Sequence, residues 1–287
     1  MSLLVPSRFH GLGKSRGIMR NKILLYTVLA AMPLFAEGVA APEKGPGELG
    51  ELVTDRPDFT ESSEVVGRDV AQFEMGSVLE FDRAAGVKTL SFGTPLMRWG
   101  VSKRWEMRVS GDGHITEFSH GASRKGVGDT EFGFKFKFRD QSKWLPAMGV
   151  IPFLDMPTGA LGFTSGKMDP GVKFLWSKDV PLGFGLSGNL NAARVSGDGV
   201  RFVQKAITLS VGHDLFAGLA GFWEAFAFVP FDKATGPNWV YDMGLTHMVG
   251  NDAQWDVTWG HRLNQIGPDS FVQVGYTYRR KIAPMRF

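Results

Sequence analysis

No cysteine occurs in the 287 residues, so neither a disulfide scaffold nor a cysteine-anchored lipoprotein is open to this chain. Histidine is scarce and scattered. His10, His114, His120, His213, His247 and His261 contain no ligand pair at helical or zinc-finger spacing, so no metal site is assigned. No Gly-x-Ser-x-Gly occurs either. The segment GFTSGKM, Gly162 to Met168, is too short for a phosphate loop and carries Met168 where Ser or Thr must follow Lys167. With these absences, no catalytic residue and no cofactor is expected. After the first forty residues, no apolar run approaches the ~20 residues of a membrane helix. Residence in a membrane therefore requires a closed barrel, the other structure that satisfies its backbone hydrogen bonds in lipid.

An excess of charge is missing as well, once the N-terminus is set apart. Arg8, Lys14, Arg16, Arg20 and Lys22 precede the apolar run Ile23–Ala36, and small residues follow up to Ala41. That order is an export signal, 1–41, with cleavage after Ala40 or Ala41; the true start could equally be Met19, just ahead of Arg20 and Lys22. Removing 1–41 takes away five of the 32 basic and one of the 29 acidic residues, leaving 27 and 28, a net charge of −1. A near-neutral mature chain lacks the basic footprint that nucleic acid requires.

What remains has two textures. Residues 42–68 are acidic and rich in Gly and Pro, and they read as a periplasmic arm or plug, or as a plain linker. Residues 69–287 alternate with period two, which places one residue set on each face of a sheet. In TEFGFKFKFRD, Phe132, Phe134, Phe136 and Phe138 alternate with Gly133, Lys135, Lys137 and Arg139. In DVAQFEMGSVLEFD, Phe73 and Met75 alternate with Gln72 and Glu74, and Val78 is an exception. Twelve such runs start near residues 69, 87, 104, 127, 145, 168, 181, 202, 219, 238, 253 and 270. Short links (SK, RDQSK, GND) lie on one side; GDGHITEFSHGASRKG, MPTGALGFTSGK and FDKATGPN read as longer loops on the other. Trp99, Trp105, Trp144, Trp239, Trp255, Tyr276 and Tyr278 sit near run ends, where an interfacial girdle would lie. The fold expected is an all-β, antiparallel transmembrane barrel of about 12 strands, of the outer-membrane type. A soluble β-sandwich or propeller is the competing fold, with the rings as core.

Several motifs carry a resemblance. TDRPDFTESSEVV, containing Thr54, Asp55, Arg56, Pro57, Asp58 and Phe59, is followed by DVAQFEMG, then by RWGVSKRWEMRV, GVGDTEFGFKFKF and IPFLDMPTG. Together these resemble the MetA-pathway phenol-degradation family of outer-membrane β-barrel transporters, over most of the chain after residue 50. The resemblance implies localisation in the cell outer membrane, small solutes as cargo, hydrophobic or aromatic among them, and a C-terminal signal for the barrel-assembly machinery. Phe287 is terminal as in that family, but KIAPMRF breaks the alternation at Pro284, and Phe287 falls on the opposite parity to Tyr276 and Tyr278.

In such a barrel Glu106, Arg108, Lys135, Lys137, Lys173, Asp242 and Asp256 fall opposite the apolar set. Facing lipid, an Arg or Lys would cost roughly 2–4 kcal/mol at the midplane, so these residues are expected to line the lumen. The leading expectation is a passive channel for small solutes in contact with outer-membrane lipid. A non-conducting structural or adhesive barrel and a lipid-modifying barrel enzyme are the alternatives. Twelve strands imply a narrow lumen, between the filled interior of about eight and the aqueous pore of roughly 16–18.

Overall fold

A computed structural model describes residues 49–197 and 199–283; residues 1–41, read above as an export signal, residues 42–48 and the terminal Phe287 lie outside them. Fourteen strands follow in sequence: β1 Val70–Asp82, β2 Val87–Gly100, β3 Trp105–Gly111, β4 His114–Ser119, β5 Ala122–Val127, β6 Thr130–Arg139 and β7 Ala147–Met156. The rest are β8 Asp169–Val180, β9 Phe184–Gly197, β10 Val200–Phe216, β11 Leu219–Val229, β12 Asn238–Val249, β13 Ala253–Arg262 and β14 Ser270–Lys281. Pairing is antiparallel, and β1 bonds to both β2 and β14, so the sheet closes on itself. Strands β3 and β4 share β2 as a neighbour, and β5 and β6 lie beside them in the same way. Each pair is one long stave interrupted near Asp112–Gly113 and Gly128–Asp129. The barrel therefore has twelve staves.

Alternation produces this wall by sorting side chains inside out. Phe73, Met75, Phe132, Phe134, Trp255, Val257 and Trp259 are about half exposed on the outer face. Their neighbours Gln72, Glu74, Glu131, Lys135 and Asp256 are at most 5% exposed on the inner face. A soluble fold does the reverse, because a buried charge costs far more than an exposed methyl group. Among the described residues no helix is long and apolar enough to cross a membrane. Val78, the exception in β1, faces inward and joins a buried cluster with Phe59, Phe226 and Phe228.

The lower end, where the chain enters at Val70 and leaves at Lys281, carries only short connections; those after β7, β11 and β13 at the upper end are longer. Exposed Trp105, Trp255 and Tyr278 ring the lower end, with Trp144 on the turn between β6 and β7. Trp105 stacks on Phe136 at 4.2 Å between centroids, and Trp255 tilts against Tyr276 at 4.7 Å.

Two expectations need correction. GDGHITEFSHGASRKG is not a loop: it forms the tall hairpin β4–β5, with Ser119 paired to Ala122. His120 and Gly121 both take positive φ, 49° and 83°, the conformation a two-residue hairpin turn demands. His114 and His120 therefore belong to this hairpin. The run placed at Pro181 begins instead at Phe184, because Leu182 and Gly183 both adopt positive φ and make the turn after β8.

Candidate functional site

The lumen is occupied by the chain itself. Residues 51–67 run inside the barrel, and their polar groups meet inward-facing side chains on two opposed arcs of the wall.

The first arc is basic and comes from β2, β3, β6 and β8. Alternation puts Arg98, Arg108, Lys135 and Lys173 on the inner face, all at most 3% exposed. Asp55 of the arm enters the centre of this group. Its carboxylate lies 2.5 Å from Arg108 Nη1, 2.8 Å from Lys135 Nζ and 3.5 Å from Arg98 Nη1. Two wall carboxylates complete the cluster: Glu74 at 3.1 Å and Glu106 at 2.9 Å from Arg98, with Glu106 also 2.8 Å from Arg108. Glu74 accepts the backbone N–H of Asp55 at 3.0 Å. Further round, Lys173 pairs with Glu61 of the arm at 2.7 Å and Glu131 of the wall at 3.4 Å, and lies 4.8 Å over the Phe153 ring. Arg108 reaches Glu61 at 3.3 Å, which joins the two clusters.

The second arc is acidic and comes from β11, β12 and β13. Glu224 accepts the backbone N–H groups of Phe59 and Thr60 at 2.6 and 2.7 Å and the Thr60 hydroxyl at 2.5 Å. Asp242 is its cross-strand partner in the register, and it is 1% exposed. Asp256 pairs with Arg56 at 3.1 Å. The Arg56 guanidinium lies across two glycines that face each other in the register, Gly76 and Gly275; a Cβ on either would fall within 2.5 Å of it. Glycine at both positions leaves the slot the guanidinium fills.

Apolar packing and backbone bonds hold the remainder. The Phe59 ring sits 4.9 Å from Phe226 and 5.1 Å from Phe228. Gln273 donates to the Pro57 carbonyl, Gln72 to Val53 O and Arg279 to Glu51 O. Thr54 accepts from Gln254 at 3.2 Å. A void of about 10 Å³ beside Pro57, Phe59 and Gln273 has room for about one water. At the lower end Lys137 joins Glu64 of the arm to Asp140 of the adjoining turn, at 2.7 and 2.8 Å. The hydrogen bond from Lys137 and its charge hold the Asp140 carboxyl below its ordinary range.

Of the residues singled out in the sequence, Glu106, Arg108 and Lys135 converge on one point with Asp55. Lys173 lies one cluster away, Asp242 and Asp256 are on the opposed arc, and Lys137 is at the lower mouth. Thr54, Asp55, Arg56, Pro57, Asp58 and Phe59 all contact inner-wall groups, Asp58 through the Ser210 hydroxyl of β10. Sequence reasoning did not single out Arg98, Glu224, Glu61, Glu131 or Gln273. Gln72, Glu74 and Glu131 alternate with exposed aromatics, so their face was readable. Which arm residue each would meet was not. Among the described residues no group of three His, Asp or Glu side chains is placed to hold a metal ion.

A closed wall with an apolar exterior, ionised interior, aromatic ring and short turns at one end is the architecture of an outer-membrane β-barrel. Comparison with solved structures finds barrels of this kind. NanC porin shares 11% identity at TM-score 0.48, covering 71% of this chain and 98% of its own. KdgM porin shares 9% at 0.47, covering 72% and 98%. The translocator domain of autotransporter NalP from Neisseria meningitidis shares 13% at 0.43, covering 74% and 87%. No curated protein sequence matches the chain. One family model does match, over residues 54–279, from Thr54 in the arm to Arg279 in β14, and by that match the chain belongs to the outer-membrane barrel family described as "Putative MetA-pathway of phenol degradation".

Proposed function

We propose that this barrel is a passive channel for small solutes, closed at rest by residues 51–67 acting as a plug. The observation that carries the reading is the chemistry of the filled lumen. A barrel whose role was confined to its exterior could fill twelve staves with apolar side chains, which would be no less stable than buried ion pairs. Here the walls carry charges, and although some pair with one another, Arg108, Lys135, Lys137, Lys173 and Asp256 also have partners on a removable segment of chain. Such contacts are strong while water is excluded and weaken once water enters, so the segment can be held or released as a unit.

In this reading Glu106, Arg108, Lys135, Lys137, Lys173, Asp242 and Asp256 line the path once the arm moves. The arm's Asp55, Arg56 and Phe59 are its anchors. The family description suggests aromatic or hydrophobic solutes, and Phe226 and Phe228, which the Phe59 ring now covers, would meet an aromatic ring in the same way.

The test is planar-bilayer conductance of the intact protein against a variant lacking residues 42–66. The deletion is expected to raise single-channel conductance severalfold, while the unheated barrel keeps its compact mobility on a detergent gel. Unchanged conductance in a barrel that still shows that mobility would overturn the plug. A wide-open intact protein would overturn it as well.

A further inference from the structure

The basic arc contains a charge count that does not close without the arm. Around Asp55 the wall supplies three cations, Arg98, Arg108 and Lys135, and two anions, Glu74 and Glu106, every one of them at most 2% exposed. The wall alone therefore holds one uncompensated positive charge in a buried place. While the arm keeps water out, an unpaired charge there would be strongly destabilising, and an anion at the point where the three cations meet offsets it. In the resting protein that anion is the Asp55 carboxylate, which receives hydrogen bonds from Arg108 Nη1 at 2.5 Å and from Lys135 Nζ at 2.8 and 3.1 Å.

We infer that Arg98, Arg108 and Lys135 form a binding site for a small organic carboxylate, and that Asp55 is the built-in occupant which such a solute displaces. Several features make the site suit a carboxylate better than a bare halide. The cations come from three different strands, β2, β3 and β6, and two of them donate to the carboxylate oxygens: Oδ2 faces Arg108, and Lys135 spans Oδ1 and Oδ2. That divergence matches a planar two-oxygen acceptor. Glu74 adds a second requirement. It now accepts the Asp55 backbone N–H, three bonds from the side-chain carboxyl carbon. Once the arm leaves, Glu74 would be left with one fewer donor. A carboxylate carrying its own hydroxyl at the same separation, as in 3-hydroxybutanoate, replaces both contacts at once. The solute thereby removes the anchor of the segment that fills its path, so arrival of cargo and release of the arm are one event.

The inference takes its access route from the channel reading above, but the site can be tested without it. In Asp55→Ala the cluster loses its occupant while the arm's backbone remains, so acetate should bind by calorimetry about tenfold tighter than to the parent protein, roughly the value of one charge-assisted hydrogen bond. Chloride at equal ionic strength should not compete. Adding Arg108→Gln to Asp55→Ala should abolish the acetate binding. A folded D55A barrel that ignores acetate, or one in which R108Q changes nothing, would overturn the site.

Should D55A lose the heat-dependent mobility of a folded barrel, the unaltered protein carries the test. Rising 3-hydroxybutanoate should accelerate hydrogen exchange at the Phe59 and Thr60 amides, and butanoate should do so more weakly. Exchange indifferent to both would sink the proposal. Binding without any conductance would keep the site and remove the channel; conductance with no carboxylate effect would do the opposite.

Discussion

At the scale of single residues, Glu224 illustrates how the arm is held. One carboxylate receives two successive backbone amides, from Phe59 and Thr60, together with the Thr60 hydroxyl, and it is 1% exposed. Glu224→Ala would leave two buried N–H groups without an acceptor, at about 1–3 kcal/mol each. The expected outcome is faster hydrogen exchange at those amides and earlier proteolysis within residues 55–66, with the heat-dependent gel shift of the barrel preserved. Glu224→Gln, which keeps one acceptor oxygen, should fall between. Protection unchanged in the alanine variant would mean that the aromatic contacts of Phe59 alone fix the arm. Nothing in the sequence singled this residue out. In GFWEAFAFV both faces of the strand are apolar, and the inner set is Phe222, Glu224, Phe226 and Phe228, so period two gives no sign of which face is wet. Its partners lie about 165 residues earlier. By contrast, Lys135 between Phe134 and Phe136 could be assigned a face at once.

At the scale of elements, strand starts were legible to within about three residues wherever an apolar outer face alternates with a polar inner one, because a one-residue slip would exchange the two faces. The tall hairpin β4–β5 was not legible. Both of its faces carry polar side chains, so HITEFS and ASRKGV present Glu117 and Arg124 on one side and Ser123 and Lys125 on the other, with little contrast between them. The arm was legible as a composition and a motif, but its path was not, since an irregular segment leaves no period to read.

The connection 157–168 shows a related device. Asp129, at the break between β5 and β6, accepts the backbone N–H groups of Gly159 at 2.9 Å and Ser165 at 2.7 Å. The Phe163 ring packs over Gly126, where a Cβ would stand 2.3 Å from it, and under Arg124 at 5.1 Å. Asp129→Ala removes both acceptors. It should make 157–168 the first site cut by a nonspecific protease added to whole cells, without altering the folded-barrel gel shift. Resistance equal to that of the parent would show that the Phe163 packing suffices.

At the scale of the whole molecule, the two faces of the wall answer to different solvents, and that division sets what each can tolerate. The interior can hold the charges of Arg98, Arg108, Lys135, Lys173 and Asp256 because each finds an opposite charge on a neighbouring stave or on the arm. The exterior has no partners to offer, and its belt of Val, Leu, Phe and Trp is stable only against hydrocarbon, where an isolated charge has neither water nor a counter-ion. Val257 and Asp256 make the contrast within one strand. Asp256 points inward to Arg56, while Val257 points outward near the middle of β13, 43% exposed, with Trp255 and Trp259 on either side of it on the same face. Placing a cation at Val257 should therefore cost about 2–4 kcal/mol of barrel stability, the depth-dependent penalty for Lys facing mid-bilayer lipid. The expected result for Val257→Lys, unfolded in urea from phosphatidylcholine vesicles, is a lower midpoint with an unchanged slope, and a smaller fraction of compact unheated protein. Val257→Leu should match the parent. If lysine at 257 left the midpoint where it was, the outer face of β13 would be in contact with water or protein rather than lipid.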